Sequence, residues 1–298
     1  MSEHDASVRN MVMDAIRELS ITNGGWVTRA DLTSLVLADG TTRRAIDQSR
    51  GIWNPRDLDA TLSVLSSPTG PYADAQVATG LYRYSYRSGS GTGGDNRKLI
   101  RAYELQLPIV LLIRLDLPGH FAPVFPCYVT DNDPVEQVVY IAVDAPAHDL
   151  MSPNASELER NYAERTTRQR LHQAAFRGQV LLAYESTCAV CRLRHPEFLD
   201  AAHIIADSHE RGDAIVPNGL TLCKIHHAAY DRNLMGISPE YRVHIDLNLL
   251  DEIDGPMLKH GLQEMHGQSI TVPRARRQQP DRERLDVRFR AFQDRQSC

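Results

Sequence analysis

Residues 188–231 hold most of the side chains in this sequence that could bind a metal ion or move a proton. Cys188 and Cys191 form a C-x2-C pair, while Cys223 and His226 form a C-x2-H pair. Two such pairs, about thirty residues apart, supply the four ligands of a closed tetrahedral Zn²⁺ site. Because a closed site has no coordination position for a substrate, we expect this zinc to be structural. The alternative is two unrelated pairs of reduced thiols, which requires both spacings to arise by chance.

A second set of polar side chains lies in the same segment: His203, Asn218, His227 and Asp231. His227 and Asp231 are four residues apart, so on a helix they share one face. A histidine and a carboxylate on one face suit Mg²⁺ or another divalent cation with open positions. His203 lies in an apolar run that predicts a strand, and its neutral imidazole could accept a proton from water near pH 7. The alternative for His203 is a core histidine.

Three motifs in this segment resemble the HNH (ββα-metal) nuclease family. They are D-A-A-H-I at 200–204, N-G-L-T-L-C at 218–223 and H-H-A-A-Y-D at 226–231. The resemblance implies a metal-dependent DNA endonuclease in which His203 is the general base that activates water. It also implies that Asn218 orients the base and its loop, and that His227 binds the catalytic metal.

The sequence departs from the family pattern at one position. Many members have a metal ligand directly before the general base, and here that residue is Ala202. Asp231 falls where some members have a second ligand on the helix. The resemblance therefore implies that the metal shell is completed by Asp231, by Asp200 or by water.

Composition sets the broad class of the protein. A chain of 298 residues suits two domains, and its 42% hydrophobic and 24% charged residues are typical of a soluble globular protein. We expect it to be cytoplasmic, because no apolar run is long enough to span a membrane and the N-terminus lacks a signal pattern. Cys127 and Cys298 do not indicate a disulfide framework.

The net charge of −5 does not by itself indicate a nucleic-acid-binding protein, but the arginines are clustered. One cluster lies within 160–177 and another in the tail from Pro273 onward. Local arginine patches can bind phosphates on a protein that is acidic overall. The alternative is that these arginines lie on solvated helix faces and pair with nearby carboxylates.

The N-terminal half predicts a helix over 6–20, a short strand at 26–28 and a second helix over 30–37. From residue 41 to 143, short strands with one or two small helices predict a compact β-barrel. The strands are predicted at 50–55, 61–65, 81–87, 108–115, 121–130 and 137–143, with a helix opening at 95–99.

The order of features in this half resembles an SRA domain, a PUA-like fold. The features are Tyr72-x-Asp74, a tyrosine strand at 81–87, a glycine-rich loop at 88–94, Asp95-Asn96 and the apolar strand at 108–115. The resemblance implies that the domain reads 5-methylcytosine or 5-hydroxymethylcytosine by base flipping. A flipped base needs aromatic faces and an acceptor for its N4 amine. Tyr72 with Tyr84 or Tyr86 would stack on it, and Asp74 would accept. The alternative is that the tyrosines belong to the barrel core or surface.

A polar, proline-containing stretch at 144–154 predicts the domain boundary. We therefore predict an α+β protein with an SRA-like domain over 1–148 and an HNH domain over 149–298. The second domain includes a helical linker at 156–184 and the arginine-rich tail.

The predicted function is a modification-dependent endonuclease acting on double-stranded DNA, with a homodimer expected because each chain has one nuclease site. The alternatives are an HNH endonuclease without modification dependence and a non-catalytic zinc module that binds DNA.

Overall fold

The computed structural model of the chain describes residues 3–66, 75–76, 81–87, 93–143, 173–207 and 209–296. The chain divides into two compact units. Unit 1 comprises Met1–Ser20 and Gly25–Ala175, and unit 2 comprises Ile21–Gly24 and Phe176–Cys298. The predicted boundary at residue 148 and the first part of the predicted linker, 156–172, lie outside the described residues.

Helices and strands alternate irregularly along the chain, which confirms the predicted α+β class. The α-helices are α1 Glu3–Asn23, α2 Arg29–Thr33, α3 Gly94–Glu104, α4 173–183, α5 Lys224–Asp231, α6 Leu247–Asp251, α7 Pro256–Gly261 and α8 Arg282–Gln296. The strands of unit 1 are β1 Val27–Thr28, β2 Leu35–Val36, β3 Thr42–Arg43, β4 Ile52–Trp53, β5 Ser63–Leu65, β6 Ala75–Gln76, β7 Tyr82–Ser85, β8 Ile109–Arg114, β9 His120–Asp133 and β10 Val138–Val143. Those of unit 2 are β11 Leu199–His203, β12 Gly219–Cys223, β13 Met235–Ile237 and β14 Val243–Ile245.

Unit 1 is built on one curled sheet in the order β4-β5-β8-β9-β10-β7-β6, with β1 paired to β9. The β5–β8 pair is parallel and the other pairs are antiparallel. Within the described residues the two end strands do not pair with each other, so the sheet is an open half-barrel. The predicted SRA-type barrel therefore stays a prediction.

A buried arginine ties the first helix to this sheet. Arg9 on α1 pairs with Asp5 one turn earlier and donates to the backbone oxygens of Ala60, Thr61 and Pro108, each 2.8–2.9 Å away. Its charge is compensated by the carboxylate, and its remaining N–H groups are used by carbonyls, which is what a buried guanidinium requires. Helix α1 confirms the predicted helix over 6–20, and Arg9 anchors it to the sheet.

The second predicted helix is shorter than expected. It was predicted over 30–37, but α2 ends at Thr33 and β2 follows at once. The reason is pairing with a later segment, because Leu35 and Val36 form an antiparallel hairpin with Thr42 and Arg43. In this strand Leu35 is buried and Val36 exposed, so alternation replaces the helical period.

Unit 2 has a separate core around the β11–β12 hairpin and α5. Helix α4 contributes Phe176, Val180 and Leu181 to this core, and α8 contributes Leu285. The helical pattern predicted for the C-terminal tail is confirmed by α8. In the part of the chain that is described, no helix combines the length and the hydropathy needed to cross a membrane.

Candidate functional site

The β11–β12 hairpin fixes the positions of the two predicted sites. Its register pairs Leu199 with Cys223 at one end and His203 with Gly219 at the other. The two ends of β11 are four residue steps apart, which is about 13 Å at the usual rise per residue. Helix α5 starts directly after Cys223, so the hairpin places a thiol cluster at one end and an imidazole at the other.

The first site is a compact cluster of sulfur and imidazole donors. The ligand atoms of Cys188, Cys191, Cys223 and His226 all lie within 4.8 Å of one another. The Cys191 and Cys223 sulfurs are 4.0 Å apart, and Nδ1 of His226 is 3.1 Å from the Cys223 sulfur. Tetrahedral Zn²⁺ with bonds of about 2.3 Å to sulfur separates its thiolates by about 3.8 Å. The cluster therefore has the spacing and the donor set of a structural zinc site.

Backbone groups orient the donors of this cluster. Nε2 of His226 lies 2.8 Å from the carbonyl oxygen of Gly261 and must donate to it, which leaves Nδ1 free to face the sulfurs. The Cys223 amide donates to the Cys188 sulfur over 3.3 Å. Hydrogen bonds from the Cys188 and Cys191 thiols lower the pKa of Cys223, which favours the thiolate that a metal ion requires.

The second site begins at the next residue of α5. His227 and Asp231 share one helix face as predicted, with Nε2 of the histidine 3.4 Å from a carboxylate oxygen. On the other side, Nδ1 of His227 lies 3.9 Å from Asp200. Asp200 is engaged by Lys224 at 2.8 Å and by Arg177 at 3.2 Å. Burial would raise the pKa of Asp200, but these two cations and His227 lower it, so the carboxylate is ionised.

His203 lies at the end of β11 with one ring face covered. Its imidazole stacks on Phe176 with centroids 3.9 Å apart and planes 16° apart. Its Nε2 is buried without a hydrogen-bond partner in the described part of the chain. Burial lowers the pKa of His203, and the interaction with His227 lowers it further, whereas Asp207 and Asp231 act in the opposite direction. The imidazole is therefore neutral near pH 7, the form that can accept a proton.

Asn218 holds the segment that follows His203. Its side-chain oxygen accepts from the Ile205 amide at 2.9 Å, and its amide nitrogen donates to the Ile205 and Asp213 carbonyls at 3.0 Å. Its own carbonyl accepts from the Ile204 amide at 2.9 Å. This fully buried side chain thus fixes the two residues after His203, which is the geometry that its predicted orienting role requires.

The second site brings together fewer protein ligands than the first. Among the described residues, the cysteine cluster is the group of three or more donors whose spacing could hold a metal ion. Ala202 is buried in the core and offers no ligand atom. His227 and Asp231 thus provide two groups for a cation, and Asp200 is already ion-paired, so water or substrate oxygens would complete the shell.

A comparison with known proteins decides what these motifs belong to. Residues 188–238 match the family described as HNH endonuclease. This segment is an HNH endonuclease domain. It makes the chain a metal-dependent DNA endonuclease.

Two further comparisons concern the whole chain. No curated protein matches it. Among solved structures, it is similar to one described as "Modification dependent TagI restriction endonuclease", with 15% identity and a TM-score of 0.31, over 81% of this chain and 85% of that chain.

Two helices outside the matched segment also contribute to the HNH domain. The sequence predicted α4 as part of a linker and placed Arg177 in the arginine cluster at 160–177, but it gave Phe176 no role at the site. The available signal was an aromatic residue next to an arginine on the helix that leads into the first cysteine pair.

The arginine-rich tail was predicted as a possible phosphate-binding patch, but several of its arginines bind unit 2 itself. Arg284 pairs with Asp213 at 2.7 Å. Arg288 lies over the Tyr230 ring at 4.9 Å and donates to the Tyr230 carbonyl at 2.6 Å. Arg295 donates to the Arg232 carbonyl. These three guanidiniums therefore fasten α8 to the domain.

The predicted base pocket of unit 1 is only partly described. Tyr72 and Asp74 lie outside the described residues. Tyr84 and Tyr86 are 4% and 2% exposed and belong to the core of the sheet. Their hydroxyls donate to the Gly51 carbonyl and to the Asn132 side chain. This burial agrees with the alternative interpretation, in which the tyrosines belong to the core. The stacking role of Tyr84 or Tyr86 beside Tyr72 stays a prediction.

Proposed function

We propose that this endonuclease hydrolyses DNA phosphodiesters with His203 as the general base. The observation that carries the proposal is the geometry of His203: a neutral imidazole with an unsatisfied Nε2 at the hairpin end, in the electrostatic field of His227 and Asp231. A buried ring nitrogen without a partner among the described residues is costly in a purely structural histidine, and it suits one that binds a reacting group.

In the proposed reaction His203 removes a proton from water while the water oxygen attacks phosphorus in line. The new P–O bond forms as the bond from phosphorus to the 3′-oxygen breaks. Asn218 keeps the base aligned through its bonds to the segment after His203. General-base catalysis of this kind contributes about 10²–10⁴-fold to the rate.

His227 and Asp231 would hold the catalytic divalent cation, Mg²⁺ or a similar ion. Their imidazole and carboxylate donors suit such an ion, and their partial exposure leaves room for substrate oxygens. When bound, the ion supplies electrostatic stabilisation of the charge that develops on the phosphate and the leaving oxygen. Zn²⁺ at Cys188, Cys191, Cys223 and His226 would be structural, holding hairpin and helix together.

We also propose that cleavage depends on modified cytosine in double-stranded DNA, read as 5-methylcytosine or 5-hydroxymethylcytosine by base flipping. The proposal is supported by the sequence order around Tyr72 and Asp74 and by the separate core of unit 1, which the HNH chemistry does not use. A second candidate, an HNH endonuclease without modification dependence, is favoured by the burial of Tyr84 and Tyr86. Because each chain has one nuclease site, a double-strand break would need a homodimer.

The test is digestion of one supercoiled plasmid in cytosine-methylated, hydroxymethylated and unmodified forms with Mg²⁺. We expect the wild-type protein to cut the modified forms faster, and Asp74→Ala to reduce that ratio while leaving residual nicking. Equal rates on all three plasmids would select the second candidate.

His203→Ala tests catalysis in the same assay. It should lose cleavage by about 100-fold or more while keeping its zinc and its binding to modified DNA, because neither site uses the imidazole. A folded His203→Ala protein that cuts at the wild-type rate would remove His203 from the mechanism. It would also leave the modification preference to be judged separately.

A further inference from the structure

We infer that Phe176, on helix α4, is a positioning residue for the general base His203; the inference rests on the role proposed for that histidine. The two rings are stacked nearly parallel at 3.9 Å. Phe176 itself is buried in the core of unit 2. It lies outside the segment 188–238, so the family match assigns it nothing.

Close packing gives the Phe176 ring little room to move away from the imidazole. Gly219 is the strand partner of His203, and a Cβ atom at Gly219 would lie 3.0–3.1 Å from the Phe176 ring and 2.5 Å from Val180. Helix α4 therefore approaches the hairpin so closely that this strand position requires glycine. The phenyl ring is in contact with both members of the His203–Gly219 pair.

The neighbouring Arg177 fixes the same helix at the other end of β11. Its guanidinium donates to the Leu199 carbonyl at 2.8 Å and to Asp200 at 3.2 Å. Consecutive residues of α4 thus hold the first and last residues of the strand that carries the base. A rigid helix attached at two points sets the orientation of His203 relative to Asp200 and His227.

The stacked ring has two consequences for the base. It fixes the plane of the imidazole, and a misplacement of about 1 Å in a reacting group can cost on the order of 100-fold in rate. It also shields one face of His203 from water, and this burial lowers the pKa of His203. The titratable groups that act electrostatically on His203 are Asp207 on the loop after β11 and His227 and Asp231 on α5.

Phe176→Leu tests the inference, because leucine keeps an apolar side chain but removes the flat ring. Leu181→Val is the matched control, since Leu181 is a buried core residue of the same helix. The readouts are the pH dependence of nicking of the preferred plasmid at saturating Mg²⁺, the zinc content and the thermal midpoint. For Phe176→Leu we expect kcat to fall about 10–100-fold, with KM and zinc content near wild type.

The sign of the pH effect follows from burial. Removing the ring exposes the imidazole, so the pKa of His203 should rise toward its ordinary value and the acid limb of the profile should move to higher pH. Leu181→Val should lower the thermal midpoint without moving that limb. The inference is overturned if Phe176→Leu keeps the wild-type kcat and acid limb, or if the control moves both in the same way.

A second readout needs no cleavage. Nuclear magnetic resonance titration of the full-length protein gives the pKa of the His203 imidazole directly, with its signal assigned by its loss in His203→Ala. A higher pKa in Phe176→Leu than in the wild type supports the positioning role, and an unchanged value overturns it. If His203→Ala still cuts DNA, the proposed catalytic role fails, while this titration still decides what Phe176 does to the ring.

Discussion

His226 and His227 are consecutive residues of one helix, yet they belong to two different kinds of site. His226 is 1% exposed, faces three sulfurs, and is locked by the Gly261 carbonyl. The His227 side chain is 23% exposed and lies between two carboxylates. Neighbouring residues on a helix point about 100° apart, so one turn can serve a closed cluster and an open one.

The difference between the two sites is one of closure and donor type. The first offers four inward-facing soft donors, which leave a tetrahedral ion no free position. The second offers an imidazole and a carboxylate with a side open to solvent, which suits an ion that must also bind substrate. The structure therefore separates the metal that would hold the domain together from the metal that would act on DNA.

Cys191→Ser should produce the largest effect, because it removes a donor from the closed site. Structural zinc contributes on the order of 10–16 kcal/mol of apparent folding free energy in small metal-dependent domains. We expect unit 2 to unfold while unit 1, which has its own core, stays folded. Metal analysis, circular dichroism and limited proteolysis would measure this. A Cys191→Ser protein with full zinc content and a protected unit 2 would remove Cys191 from the ligand set, and wild-type protein without tightly bound zinc would refute the zinc site.

His227→Ala and His226→Ala should separate the two sites most directly. His227→Ala should keep its zinc and its fold but lose cleavage by about 100-fold or more, since even outer-shell partners of a metal cost about 10–100-fold. Raising the Mg²⁺ concentration should restore part of the rate. His226→Ala should lose zinc and the fold of unit 2, with no rescue by Mg²⁺. Identical behaviour of the two variants would refute the division between a structural and a catalytic histidine.

Arg288→Ala should have the smallest effect, because it acts on the open site only through the end of α5. Arg288 donates to the Tyr230 carbonyl and covers the Tyr230 ring, one residue before Asp231. Losing both interactions should cost about 1–3 kcal/mol of stability and reduce cleavage severalfold. Arg290→Ala is the control, since the described partner of Arg290 is Asp286 on its own helix. Chemical denaturation measures the stability of the two variants, and nicking assays measure their cleavage rates. Equal losses in Arg288→Ala and Arg290→Ala would argue against a specific effect of the contact between Arg288 and Tyr230.

Much of the site follows from short-range spacing. The cysteine pairs, the strand that carries His203 and the shared helix face of His227 and Asp231 all depend on intervals of a few residues. Helical and strand periodicities act over the same intervals, so these features could be predicted without knowing the fold. The tyrosine strand at 81–87 was predicted for the same reason, and β7 confirms it.

The predictions that failed or fell short depend on what a segment packs against. Strand alternation places Tyr84 and Tyr86 on one face but does not say whether that face is buried, and here the sheet curls around it. Helical periodicity over 30–37 gave way to a hairpin because Leu35 and Val36 found a partner strand. The arginine spacing in the tail fits a phosphate-binding patch as well as it fits the observed contacts, in which the arginines of α8 bind other residues of unit 2.

The sequence by itself determined the donor types, their order and their spacing, and with them the HNH assignment of 188–238. Only the tertiary structure decided which groups meet across long intervals. Phe176 reaches His203, Arg177 reaches Asp200, and Arg288 reaches Tyr230. The residues in these contacts are 23 to 58 positions apart in the sequence. At Gly219, the close approach of α4 to the hairpin also depends on the tertiary structure. Periodicity fixes the face of an element, whereas complementary packing of whole elements selects the residue opposite it.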